Sequence, residues 1–221
     1  MAENGGLLTL EDLKTYETKI VEPLWGDYRG YKFSTNQPPG GGIMLVEMLN
    51  MLEQFDLQKM GHNSTEYIRI VTEVMKRATS DKDNFVGDPA FVEVPLDRLC
   101  SKDHALSMAA SIRLGERATV ERLNRVESSN TTHVAVIDAA GNAVSMTHSL
   151  GMPSGVITQG LGFMYNGCMG VFDPRPGHAD SLAPGKSRFS SLCPTIVFEA
   201  GKPCIVVGAP GGTQIAMGIV Q

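Results

Sequence analysis

A mixed α+β fold is predicted by three features of the chain. Apolar residues at helical spacing dominate the first half, period-two strand patterns split by Gly-containing turns dominate the second, and a stretch rich in Gly and Pro (151–184) separates two hairpins. At 221 residues and 42% hydrophobic content, the chain suffices for one large domain or two small ones with a substantial core.

The elements follow in order. Thr9-Leu10-Glu11-Asp12 has the form of a capping box and predicts a short helix, after which Val21 to Phe33 reads as strand, loop, strand. Pro38-Pro39-Gly40-Gly41-Gly42 breaks the chain, and Ile43, Val46, Leu49 and Met51/Leu52 then recur at helical spacing. No Gly-Lys-Ser/Thr follows these glycines, so they predict a tight structural turn rather than a phosphate cradle. Ser64 opens a helix with Tyr67, Ile70, Val71, Val74, Met75 and Ala78 on one face, and Ser101 caps another from about Lys102 to Arg113. Both read as amphipathic covering helices. Lys76-Arg77 with Asp81-Lys82-Asp83 is expected to be a solvated helix end. Strands are then predicted over Thr132–Asp138 and Ala143–Leu150, a hairpin that reads as buried, and over Thr195–Glu199 and Cys204–Val207. The Gly- and Pro-rich middle is too long for a simple connector and suggests a binding loop or lid. Pro210-Gly211-Gly212-Thr213 turns into a last helical pattern that stops at Gln221. A start in a Gly-Gly turn and a stop inside a helix read as a piece of a longer protein.

A formal charge of −5 with scattered Lys and Arg gives no footprint for nucleic acid or an anionic membrane surface. No segment approaches the ~20 apolar residues of a membrane span, and the acidic N-terminal residues do not form a signal-peptide pattern, so periplasm and cytoplasm both stay open. Cys100, Cys168, Cys193 and Cys204 show no C-x-x-C pairing and are expected to be small buried hydrophobes. His62, His104 and His178 lack ligand spacing, so neither a metal site nor a cofactor is expected; His133 and His148 are expected to face each other across the first hairpin.

The polar opening of that hairpin, Asn130-Thr131-Thr132-His133, needs a chemical reason. A threonine hydroxyl is a poor nucleophile near neutral pH, but a threonine at a new N-terminus carries an α-amine of pKa roughly 7.7 to 8.0 that accepts its proton. Before any cut, the same hydroxyl is placed to attack the Asn130 carbonyl, shifting the chain from amide to ester, and water then frees the Thr131 amine. Such a nucleophile needs oxyanion donors, and backbone N–H groups at Gly211-Gly212, between a strand and a helix, are unobstructed by side chains. Each motif alone is merely a turn or a strand start.

Their ordered combination resembles the γ-glutamyltransferase (glutathione hydrolase) family. The motifs are Glu127-Ser128-x-x-Thr131-Thr132-His133, Asp138-x-x-Gly141-Asn142-Ala143-Val144, Ser190-Ser191-x-x-Pro194-Thr195-Ile196-Val197 and Gly208-Ala209-Pro210-Gly211-Gly212. Upstream, Gly5-Gly6-Leu7-Leu8-Thr9-x-Glu11-Asp12-Leu13, the 38–42 turn and Gly87-Asp88-Pro89 resemble that family's large subunit, so the likeness covers nearly the whole chain.

The resemblance implies an N-terminal-nucleophile hydrolase with an αββα sandwich of two packed antiparallel-type sheets, incomplete here at both ends, made as a proenzyme and cut between Asn130 and Thr131. Residues 1–130 would be the C-terminal part of the large-subunit region and 131–221 the N-terminal part of the small, catalytic one, forming one composite domain and, after the cut, a heterodimer. Thr131 would be the nucleophile, Ser149 its hydroxyl partner where the family usually has threonine, Ser190 and Ser191 the carboxylate-binding pair, and Gly211 and Gly212 the oxyanion turn. Arg188, nearby, would assist with an anionic group or serve as a solvated loop cation.

Glutamyl-specific members resemble one another in an Asn at position 151, a Gln at 168 and an acid at 171, which read the α-amino and α-carboxylate groups; here those positions hold Gly151, Cys168 and Val171. The reading is an amidohydrolase or acyltransferase acting on a small-molecule amide, a γ-glutamyl compound such as glutathione, with water or an amine as acceptor. One alternative is a same-family amidase for oxamate, glutaryl or cephalosporin-type acyl groups, and another is a truncated interaction subunit without catalysis.

Overall fold

The computed structural model describes residues 5–121 and 130–221; Glu127 and Ser128 of the first motif lie outside the described residues. Helix α1 (Leu10–Thr15) starts at Thr9, whose side chain and that of Asp12 complete the reciprocal capping box. Strands β1 (Leu24–Tyr28) and β2 (Tyr31–Thr35) form a hairpin through Arg29-Gly30, both at positive φ, a turn whose twist suits paired strands.

The 38–42 turn feeds α2 (Gly42–Leu52), in which every residue but Leu49 is buried. It is the centre of the core rather than a surface cover. Around it pack α4 (Thr65–Phe85), α5 (Leu96–Leu99) and α6 (Lys102–Arg113), with the short α3 (Leu57–Met60) against α4; the Ser64 and Ser101 hydroxyls accept the Tyr67 and His104 amides, as the cap reading expects.

One face of a four-stranded sheet, β1-β2-β7-β8, lies on α2, with β7 (Thr195–Glu199) and β8 (Lys202–Val207) supplied by the far end of the chain. The hairpin of β3 (Thr131–Ile137) and β4 (Ala143–Ser149) stacks on the opposite face, against β7 and β8. Helices, sheet and second sheet thus follow one another as layers. The 151–184 stretch contains a further small hairpin, β5 (Pro153–Ile157) with β6 (Met164–Asn166), and a 3-10 turn over Cys168–Val171. The chain closes through a 3-10 turn, Gly212–Gln214, into α7 (Ile215–Val220), which packs on α2. Among the described residues no helix is long and apolar enough to cross a membrane.

Three expectations need correction. The β3–β4 hairpin is not buried: its inward face is small and polar (Thr131, His133, Ser145, Thr147, Ser149), while Val134, Val136, Val144 and Met146 point outward at 41–54% exposure. Alternation along the strands is present, but it does not say which face finds a partner. Nor are the charges of α4 a solvated end. The helix runs on to Phe85 and α6 packs along it, so Arg77 is buried and pairs with Glu73 at 2.5 Å while Asp81 meets His104. Finally, only Cys193 of the four free cysteines is fully buried, and Cys204 is exposed on β8.

Candidate active site

The register of the β3–β4 hairpin is set at its turn. The Asp138 carboxylate accepts the amides of Ala140 (2.9 Å) and Asn142 (2.8 Å) and the Asn142 side chain (2.7 Å), while Gly141 takes the positive φ the turn requires. Counting back from this fixed end pairs Thr131 with Ser149 at the open end. There the Thr131 hydroxyl donates to Ser149 Oγ (3.0 Å), and Ser149 Oγ donates to the Asn130 carbonyl (3.1 Å) and accepts the Gly151 amide (2.9 Å). One hydroxyl therefore touches both the side chain of residue 131 and the carbonyl ahead of it.

His133 and His148 do not face each other. The register pairs His133 with Thr147 and Thr132 with His148, which puts the two rings on opposite faces. His133 Nδ1 is 2.8 Å from Thr147 Oγ1, its Nε2 is buried without a hydrogen-bond partner among the described residues, and burial lowers its pKa. The ring lies against Gly208, where an added Cβ would overlap it. Gly208→Ala is expected to push His133 off β8 and to lower stability by about 1–3 kcal/mol, the usual cost of overpacking, read from chemical denaturation. An unchanged midpoint would mean that the ring is free to move.

The Ser190-Ser191 segment is held from behind by the 38–42 turn. Ser190 N donates to Pro39 O (2.7 Å), Gly41 N to Leu192 O (3.0 Å), and Asn36 joins the two segments by donating to Leu192 O (2.8 Å) and accepting Gly42 N (3.0 Å). A Cβ on Gly41 would come within 2.6 Å of the Ser191 carbonyl, so glycine is needed for this approach. Buried carboxylates fix the residues just before: Asp88 accepts Ser187 N and Asp180 accepts Phe189 N, each at 2.7 Å. Desolvation alone would raise the Asp88 pKa, but the Ser187 and Ala90 amides outweigh it and lower it. Ser191 Oγ donates to the Gly212 carbonyl, and Gly211 and Gly212 both occupy positive φ, at 140° and 56°.

A second set of contacts joins the other predicted positions. Arg188 is half-buried and donates to Phe189 O (2.7 Å) and to Cys168 Sγ (3.3 Å), so it is tied to the fold, and Cys168 Sγ in turn reaches Leu150 O (3.4 Å). Gly151 has φ +64°, and a Cβ there would sit 2.5 Å from Cys168 Sγ. Thr131, Ser149, Gly151, Cys168 and Arg188 therefore form one contiguous line of contacts, and Ser191 and Gly212 form another. Val171 ends the 3-10 turn begun by Cys168.

Sequence reasoning passed over Asn36 and Asp180, which no motif marks, and treated the 38–42 turn as merely structural although it backs Ser190-Ser191. It also passed over a polar group beyond this site: Glu47, Asp81 and His104 converge from α2, α4 and α6, with His104 Nε2 2.8 Å from Asp81 Oδ2. A cleft of about 560 Å³ between Lys19, Asn36, Pro39, Asp88 and Pro194 contains none of the predicted catalytic or substrate-binding residues.

A family described as Gamma-glutamyltranspeptidase matches residues 1–221. The chain is 37% identical to a protein named glutathione hydrolase proenzyme from Escherichia coli K12, covering 100% of this chain and 41% of that protein. It is 38% identical to one named acylase ACY 1 proenzyme from Pseudomonas sp. SE83, covering 100% and 40%. In structure it resembles cephalosporin acylase from Bacillus halodurans, with a TM-score of 0.82 at 28% identity over 100% of this chain and 40% of that one. The chain thus spans about two fifths of the length of these relatives. The layered helix and sheet arrangement is that of an N-terminal-nucleophile hydrolase, and the chain belongs to the gamma-glutamyltranspeptidase family.

Proposed function

We propose that this chain carries the nucleophile region of an amidohydrolase/acyltransferase that cuts itself between Asn130 and Thr131. The observation that carries the reading is the Ser149 hydroxyl, which accepts from Thr131 Oγ1 and donates to the Asn130 carbonyl. As Thr131 Oγ1 bonds to the Asn130 carbonyl carbon, its proton passes to Ser149 and the proton of Ser149 moves to the developing oxyanion. As the carbonyl re-forms, the hydroxyl proton passes to the nitrogen and the C–N bond breaks, leaving an ester and a free Thr131 amine, and water hydrolyses the ester to an Asn130 carboxylate and the regenerated hydroxyl. Residues 1–130 and 131–221 then belong to two chains of a heterodimer held by the shared sheet.

In the mature protein the Thr131 amine takes the hydroxyl proton as Oγ1 attacks a substrate amide, and the Gly211-Gly212 turn receives the oxyanion. Ser190 and Ser191 lie beside that turn for a substrate carboxylate. The amine leaves with the returned proton, and water or a second amine takes the acyl group. N-terminal sequencing of the full-length gene product tests the first half: a new chain beginning at Thr131 is expected, and an active protein with residues 130 and 131 still joined would refute it.

A second reading concerns the acyl donor. With Gly151, Cys168 and Val171, neither an amide nor an acid is available at the three positions expected to read a glutamyl α-amino and α-carboxylate, and Cys168 Sγ fills the space a side chain at 151 needs. This favours a donor without an α-ammonium. Losing one charge-assisted hydrogen bond, about 1.5–3 kcal/mol, lowers selectivity by about 10- to 100-fold. A glutaryl amide or oxamate is therefore expected to exceed γ-glutamyl anilide in kcat/KM by at least about tenfold. The reverse order would restore the glutamyl reading.

A further inference from the structure

Helix α2 is apolar and buried, yet it carries Glu47, 2% exposed, at its middle. Glu47 Oε1 has no hydrogen-bond partner among the described residues. It points instead toward His104 Nε2 on α6, 3.6 Å away, and that nitrogen lies 2.8 Å from Asp81 Oδ2 on α4. One ligand atom from each residue lies within 4.8 Å of the others. A buried carboxylate oxygen is normally satisfied, and one that is not marks a place where something else completes the site.

We propose that Glu47, Asp81 and His104 bind a divalent transition-metal ion of the zinc or manganese class that ties α2, α4 and α6 together. Zinc holds imidazole nitrogen and carboxylate oxygen at about 2.0–2.2 Å, so two such ligands stand about 3.0 Å apart at a right angle and about 3.4 Å at the tetrahedral angle. The 2.8 and 3.6 Å separations bracket those values. One imidazole with two carboxylates is a mixed donor set that suits this class, whereas calcium and magnesium prefer oxygen alone. The side chains of Asp81 and His104 are 13% and 8% exposed, which leaves an approach from the α4–α6 side, while Glu47 closes the bottom. The role is structural: α2 begins at the glycine turn that backs Ser190-Ser191, and a cation gripping its middle fixes that turn against α4 and α6. The ligands come from three helices far apart in sequence, which is why no spacing motif announces them.

The test uses the full-length protein, stripped with EDTA and dialysed, then titrated with Zn²⁺ and separately with Co²⁺. The wild type is expected to bind one equivalent of Zn²⁺ with a rise in thermal midpoint, and Co²⁺ to give visible ligand-field bands. Glu47→Gln and His104→Asn should each weaken Zn²⁺ binding at least about 100-fold and abolish the midpoint shift. Thr131→Ala should leave binding intact, which separates this site from the proposed nucleophile. Uptake that is unchanged in Glu47→Gln overturns the proposal. So does a stripped wild type that shows neither a Co²⁺ band nor a Zn²⁺-dependent shift, the result expected if a proton shared between the two carboxylates is the only occupant. If the variants do not fold, the His104 ring resonance of the wild type decides: it shifts on Zn²⁺ addition if the ring is a ligand, and an unmoved signal overturns the site.

Discussion

Thr131→Ala is expected to leave the full-length protein as one uncut chain and to lower amide turnover by on the order of 10⁴-fold or more, the scale seen when a covalent nucleophile is removed. The expected size follows from the proposal that one residue serves two reactions: without Oγ1 there would be no attack on the Asn130 carbonyl, no freed α-amine and no acyl-enzyme. Thr131→Ser keeps hydroxyl and amine and is expected to mature, more slowly because the methyl that restricts the threonine rotamer is gone. Ser149→Ala should lie between the two. It retains the nucleophile but loses the 3.1 Å donor to the Asn130 carbonyl, and removal of one oxyanion donor costs about 10²–10³-fold. Denaturing electrophoresis over time gives the cutting rates, and acyl transfer by the fraction already cut gives turnover. A Thr131→Ala chain that is still cut at 130–131 would move the nucleophile elsewhere.

Much of this site is legible in sequence because local chemistry fixes it. Thr9, Ser64 and Ser101 cap the helices they were expected to open, since a hydroxyl three residues ahead of a free amide acts whatever the tertiary setting. Asp138 and Asn142 close a turn of set length, and strand periodicity then carries the register to Thr131 and Ser149 without reference to the rest of the fold. The failures share a different cause. Whether Val134 and Val136 face a neighbour, whether Arg77 is solvated, and what stands beside His104 each depend on a segment distant in sequence. The same helical pattern in α4 serves an exposed end or a buried pair, and the choice falls to α6, which brings Ser111 against the guanidinium. Asn36 and Asp180 were missed for a related reason: they bond to backbone atoms of the Ser190 segment, and backbone partners leave no signature in residue type.

The largest stability effect is expected at that misread pair. Glu73 is 5% exposed and accepts from Arg77 at 2.5 Å, from Lys76, and from the Ala118 amide at 2.9 Å. Arg77, 7% exposed, also donates to Ser111 Oγ at 2.9 Å and to Glu116 O at 3.1 Å. Glu73→Ala removes the only carboxylate paired with Arg77 among the described residues and leaves a buried cation and an unmet amide, for which about 3–5 kcal/mol is expected. Glu73→Gln keeps an acceptor and the side-chain volume and should cost less, so the difference between the two variants separates charge from shape. The pH dependence distinguishes them further. Desolvation acts to raise the Glu73 pKa, but Lys76, the Ala118 amide and Arg77 together lower it, so the folded form holds the ionised carboxylate more strongly than the unfolded chain does. Its contribution is therefore complete above the unfolded pKa, near 4.3, and is lost as pH falls through the lower folded value. Denaturant midpoints of the wild type should drop over that acid range, while those of Glu73→Gln drop less. Parallel acid profiles for the two proteins would show that the Glu73–Arg77 pair contributes nothing through ionisation.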